Sequence, residues 1–218
     1  MNFKQLFVLL ISASLYSQVP KGFSIAAAGV QTSLNSDAVA FGDGTGYGAG
    51  FAFHWGYYET FNYQLDLIYS FNSLSLPYTE FTGEKGIEKM KTETLDVIWC
   101  FNYYFLVPEE DRFYMGVQGG GDITVLGQKW QPYGNSRVYS GNLDDSSFKG
   151  MPDFGAGLTF GVIAGYNRFK LSAKYNMGLT NILKNVETAE YDESHSYIGP
   201  AISGKLSSMS VTLYYKIW

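Results

Sequence analysis

Arg168-Phe169-Lys170-Leu171-Ser172-Ala173-Lys174-Tyr175-Asn176-Met177-Gly178-Leu179-Thr180 is the stretch on which the fold turns. Phe169, Leu171, Ala173, Tyr175, Met177 and Leu179 share one parity; Arg168, Lys170, Ser172, Lys174, Asn176 and Gly178 share the other. Strict alternation of this kind marks a strand with two chemically different faces. The stretch is also long enough to cross a bilayer at a tilt, which takes about 9–11 residues.

Working outward, the same alternation recurs. Met209, Val211, Leu213, Tyr215 and Ile217 oppose Ser210, Thr212, Tyr214 and Lys216. Phe154 through Ala164, Phe113 through Ile123, Leu95 through Phe105, Phe61 through Phe71 and Tyr47 through Trp55 repeat it. A weaker strand is expected near Phe23 to Thr32, where an Ala run blurs the faces. Together these predict an all-β, eight-stranded antiparallel up-and-down barrel. Short turns are expected near 58–61, 107–111 and 167–168, and long polar loops over 33–45, 73–91, 127–150 and 181–206. Short turns at one end and long loops at the other are the asymmetry of outer-membrane barrels.

Two closed barrels produce such alternation, and size separates them. A soluble barrel turns its apolar face inward. With eight strands the interior is only wide enough for side chains. Gly, Ser, Asn and Asp fit that space; rows of Phe, Tyr, Trp and Leu overfill it. The apolar faces named above hold no Asp, Glu, Lys or Arg. The apolar face is therefore expected to meet lipid. Aromatics also gather at strand ends (Trp55, Tyr57, Phe105, Phe113, Tyr166, Phe169 and Tyr215 at one, Tyr47 and Phe71 at the other), the pattern of interfacial girdles. On this reading Leu171→Arg blocks assembly and Ser172→Arg is milder.

Composition agrees. Of 218 residues, only 16% are charged, against about a quarter in soluble domains. The net charge is −5 with no basic run, which excludes nucleic acid as an expected partner. Residues 1–17 read as a signal peptide, with Lys4 at its start and an apolar centre from Leu6 to Ile11 too short to span a bilayer. Residues 18–218 then form the barrel domain, expected in the outer membrane of the cell.

The chain resembles the PorT-like outer-membrane β-barrel family of the Bacteroidetes. Tyr175-Asn176-Met177-Gly178-Leu179-Thr180-Asn181-Ile182 is similar to that family's late strand end, Asp153-Phe154-Gly155 followed by Gly161 to the strand before it, and Leu65-Asp66-Leu67-Ile68-Tyr69-Ser70 to its third strand. Gly29-Val30-Gln31-Thr32-Ser33 fits its first strand. The chain departs from the pattern in having no proline near Val97-Ile98 and in ending on Trp218, out of phase with Ile217. The resemblance implies the fold, the outer membrane, and type IX secretion or gliding machinery as a candidate partner.

The inward face carries the candidate site. Asp66, Asp96, Asp122 and Asp153 stand against Lys170, Lys174, Lys216 and Arg168. Charges in a closed lumen need partners, so a salt-bridged plug that fixes strand register is expected. A proton or ion path is the sharper alternative. Glu193-Ser194-His195-Ser196 is the one constellation with a base beside a hydroxyl, the requirement for an enzyme acting on lipids. The single cysteine, Cys100, and the Gly-rich 42–50 segment, which lacks the Lys-Ser/Thr of a phosphate loop, suggest no metal site and no cofactor. His54 is expected in the lumen without a second ligand. The acidic residues Asp144, Asp145, Glu187, Glu190, Asp192 and Glu193 are expected in outer loops, facing solvent or bridging to lipopolysaccharide through a cation. The functional expectation is a non-enzymatic outer-membrane barrel with a plugged lumen and partner-binding loops. A small channel and a lipid-modifying enzyme stand as alternatives.

Overall fold

The structure is a computed structural model that describes residues 20–37, 41–58, 60–80, 83–106, 113–128, 137–139, 153–184 and 203–217. Residues 1–17, read as a signal peptide, the Glu193–Ser196 constellation, the six loop acids and Trp218 lie outside these residues.

Eight long strands form a closed ring: β1 (Pro20–Ser36), β2 (Gly44–Tyr58), β3 (Phe61–Glu80), β4 (Lys85–Leu106), β5 (Phe113–Gln128), β7 (Phe154–Tyr166), β8 (Phe169–Asn181) and β9 (Gly204–Lys216). Every pairing is antiparallel, the eight ring strands pair in chain order, β1 pairs with β9, and the β2–β3 pairing completes the circle. Closure leaves the transmembrane backbone no unpaired edge, which a bilayer demands. A ninth strand, β6 (Arg137–Tyr139), adds to Tyr78–Glu80 outside the ring.

The short turns and both described chain ends share one rim. There, Asn167 takes the left-handed conformation (φ 54°) in the turn joining Tyr166 to Phe169, as tight hairpins require. The alternation seen in sequence becomes an exposed apolar belt. Phe51, Phe71, Trp99, Phe101, Phe160, Leu171, Val211 and Leu213 all point outward and are each more than two-fifths exposed. Alternate residues of the same strands are buried within the ring. Glycines make the interior wall thin where large side chains cross it: a Cβ at Gly165 would lie 2.2 Å from the Tyr114 ring.

One expectation is corrected. Residues 73–91 are not a polar loop. β3 continues to Glu80 and β4 begins at Lys85, so this segment is a long hairpin turning near Gly83 (φ 89°). The period of two persists through it while the chemistry of the faces exchanges. Below, the even positions Gln64, Asp66, Ser70 and Asn72 line the interior; above, Leu74, Leu76 and Met90 do. The outward positions change in the opposite sense, from Leu67, Tyr69 and Phe71 to Ser73, Ser75, Lys91 and Lys89.

Candidate functional site

The interior is built in three layers. At the short-turn end Tyr104, Tyr114 and Ile163 pack together, the two rings edge to face at 5.7 Å. At the long-loop end Leu34, Leu74, Leu76, Met90, Leu126, Ile182 and Leu183 form an aliphatic lid, with Phe41, Tyr78 and Leu206 against it. The lid arises because the interior phase turns to Leu or Met near the long-loop end on strand after strand: Leu34 on β1, Leu76 on β3, Met90 on β4, Leu126 on β5 and Leu206 on β9.

Between these layers lies a polar network. Asp66 is its hub and is fully buried. It forms an ion pair with Lys174 across the lumen. Its Oδ2 also accepts from the Tyr214 hydroxyl at 2.8 Å, and its Oδ1 accepts from Gln64 Nε2 at 2.6 Å. Lys174 donates in addition to Tyr214 at 2.8 Å. Lys170 donates to Gln64 Oε1 at 2.5 Å, lies 3.4 Å from His54 Nδ1 and sits 4.4 Å over the Tyr214 ring. Asn102 joins Gln64 to Asn62, and Asn62 donates to Tyr104, tying the network to the lower layer. A charge in this space survives only with such partners.

The sequence-predicted residues therefore divide. Asp66, Lys170 and Lys174 come together. Asp96 stands apart, held by the hydroxyls of Thr124 (2.7 Å) and Thr94 (3.3 Å). Asp122 lies further along β5, beside a small cavity lined also by Thr124, Gly155, Gly178 and Thr180, and its Oδ1 has no partner among the described residues. Asp153, Lys216 and Arg168 are corrections. All three are exposed, Asp153 just before β7 at the long-loop rim, Lys216 and Arg168 at the opposite rim, because the interior phase has run out at those strand ends.

Sequence reasoning missed Tyr214, Gln64 and Asn102, which carry as much of the network as the charges. Their signal was present. Tyr214 is a large ring following Ser210 and Thr212 on the polar face, and such a side chain fits a lumen only if it spans it. Cys100 is buried within the barrel wall. No group of three or more His, Cys, Asp or Glu able to hold a metal occurs among the described residues.

No family model and no curated protein matches the chain. Solved structures do. The chain is similar to the outer membrane protein OprG from Pseudomonas aeruginosa, at 11% identity and a TM-score of 0.50 over 90% of this chain and 96% of that one. It is similar also to Neisserial surface protein A (12% identity, TM-score 0.43, 92% of this chain and 100% of that one). A third is Ail, the attachment invasion locus protein of Yersinia pestis (11%, TM-score 0.39, 90% and 99%). The fold is that of the eight-stranded outer-membrane barrels.

Proposed function

We propose that this protein is an integral outer-membrane barrel that acts through its outer rim and loops as a binding platform, without catalysis. The observation that carries this is the filled interior. The aromatic layer, the ion-paired network and the aliphatic lid succeed one another along the lumen, and Gln64, Asp66, Asn102, Leu74, Leu76 and Leu183 have no solvent exposure at all. A lumen so occupied argues against solute flux, which leaves the outer surface as the working part. The β3–β4 hairpin supports this. It rises past the end of β5, which pairs no further than Glu93, and β6 broadens it.

The resemblance to the PorT-like family puts type IX secretion or gliding machinery first among candidate partners. Affinity purification from outer membranes in mild detergent, followed by mass spectrometry, tests this. A stoichiometric secretion component lost on shortening the 73–91 hairpin is the expected result. A partner-free barrel in a strain that carries such machinery would contradict the accessory role. Liposome swelling tests the closed lumen and is expected to show no flux of small sugars.

A further inference from the structure

The outward face of β4 carries a distinct signal where the apolar belt ends. Its outward positions read Lys85, Ile87, Lys89, Lys91 and Glu93 before the belt begins at Leu95. Charge on this segment is sorted by face. Lys85, Lys89 and Lys91 are exposed, while Glu88 is turned inward and buried. Glu93, the outward carboxylate of β4, is held by the Tyr69 hydroxyl on the side away from Lys91 and Lys89, and the exposed Glu84 lies in the turn beside Lys85. The result is a cationic strip on a chain whose net charge is −5.

Its height is set by strand geometry. Same-face residues repeat about every 6.8 Å along a strand, which at a tilt of about 45° is a rise of roughly 5 Å. Lys91 and Lys89 therefore stand one and two steps above Glu93, on the water side of the belt's edge, at the height of lipid headgroups. On the neighbouring strand Tyr69 and Phe71 pair with Leu95 and Glu93 and mark the aromatic edge of the belt just below the lysines, with Leu67 beneath.

We infer that Lys89 and Lys91 bind the phosphorylated headgroup of an outer-leaflet glycolipid of the lipid A class. Lysine is a point-charge phosphate ligand, and two on one strand face meet a phosphate from two heights. A lipid fits better than an acidic protein because the site stands directly above the belt's edge on the same strand face. The apolar surface at Leu95 and Leu67 lies where the acyl chains of the same molecule would run.

This inference rests on the membrane reading, and the test separates the two. The mature chain is refolded into phosphatidylcholine nanodiscs and titrated with bisphosphorylated lipid A, with bound lipid read by native mass spectrometry. The Lys89→Gln/Lys91→Gln double variant is expected to lose affinity by about tenfold or more. Lys205→Gln, on β9 across the barrel, should leave it unchanged. Dephosphorylated lipid A should bind the unaltered chain as weakly as bisphosphorylated lipid A binds the double variant. Equal binding by both forms would overturn the site. So would displacement of the lipid by inorganic phosphate at matching concentrations, which would mean a free-anion site. A heat-modifiable barrel with no phosphate preference overturns this inference alone. A chain that forms no barrel in bilayers overturns the membrane reading with it.

Discussion

The lower and upper halves of the β3–β4 pair obey one backbone rule and opposite chemical rules. Up to Phe71 and Leu95, large apolar side chains face out and the polar network with a few small or aliphatic residues faces in; from Leu74 to Met90, Leu74, Leu76 and Met90 turn in while Ser75, Lys89 and Lys91 turn out, with Glu88 inward and Ile87 outward as the exceptions. Pairing, register and period are continuous across the change. What differs is the solvent outside. Against lipid, an apolar face costs nothing to expose and the narrow lumen takes small or paired polar groups. Against water, the same ribbon hides Leu74, Leu76 and Met90, exposes Lys89 and Lys91 and leaves Ser75 half-exposed, as a soluble hairpin does. The exchange point is thus a membrane boundary written in side chains.

The largest effect is expected where the lower half is most constrained. Asp66→Ala leaves Lys174 and Lys170 buried without a carboxylate and should cost about 3–5 kcal/mol, read by urea unfolding of the refolded barrel. Asp66→Asn with Lys174→Met removes both charges and should recover much of that loss. A double variant no better than either single would deny the pair its coupling.

In the upper half, Leu76→Ala should cost about 2–5 kcal/mol, since it opens a cavity in a packed aliphatic lid. If the lid is instead loose, the cost will fall near that of a surface change, and liposome swelling will become positive.

The outward face gives the sharpest contrast. Leu67→Lys should cost about 2–4 kcal/mol because it sets an ammonium against hydrocarbon. Ser75→Lys, on the same strand and face eight residues on, should lie within about 0.5 kcal/mol of the unaltered chain. Equal costs would erase the boundary. This pair serves better than Leu171→Arg against Ser172→Arg. Ser172 is fully enclosed and accepts from Gln118 at 2.5 Å, so an arginine there meets packed side chains and is not the mild change the sequence suggests.

Much of the barrel was legible because parity is a local property that survives every tertiary detail. Leu171 beside Ser172 announces two faces whatever lies beyond, and eight such segments with alternating connection lengths announce closure. The 73–91 hairpin was illegible for a related reason. Ser73, Leu74, Ser75 and Leu76 alternate as cleanly as Leu65 and Asp66, but with the phases exchanged, and a search for one fixed apolar phase reads them as loop. The site was half legible. Charges on the polar face must be paired, so Asp66, Lys170 and Lys174 stood out. Which of them meet depends on how strands distant in sequence, β3 and β8, face each other across the lumen, and no local pattern encodes that distance. Asp153 and Lys216 show the limit: they hold the right parity or lie near it, yet sit at rims where parity no longer means burial.

The most direct test of the boundary is a spin-label scan along the outward face of β4, at positions 87, 89, 91, 95, 97, 99 and 101, in a Cys100→Ser background reconstituted in lipid bilayers. Relative accessibility to oxygen and to a water-soluble nickel chelate gives the depth of each position. The account predicts lipid contact from 95 through 101, deepest near 99, and aqueous exposure at 91, 89 and 87. Lipid contact persisting through 89 and 87, or water contact at 97 to 101, would contradict it.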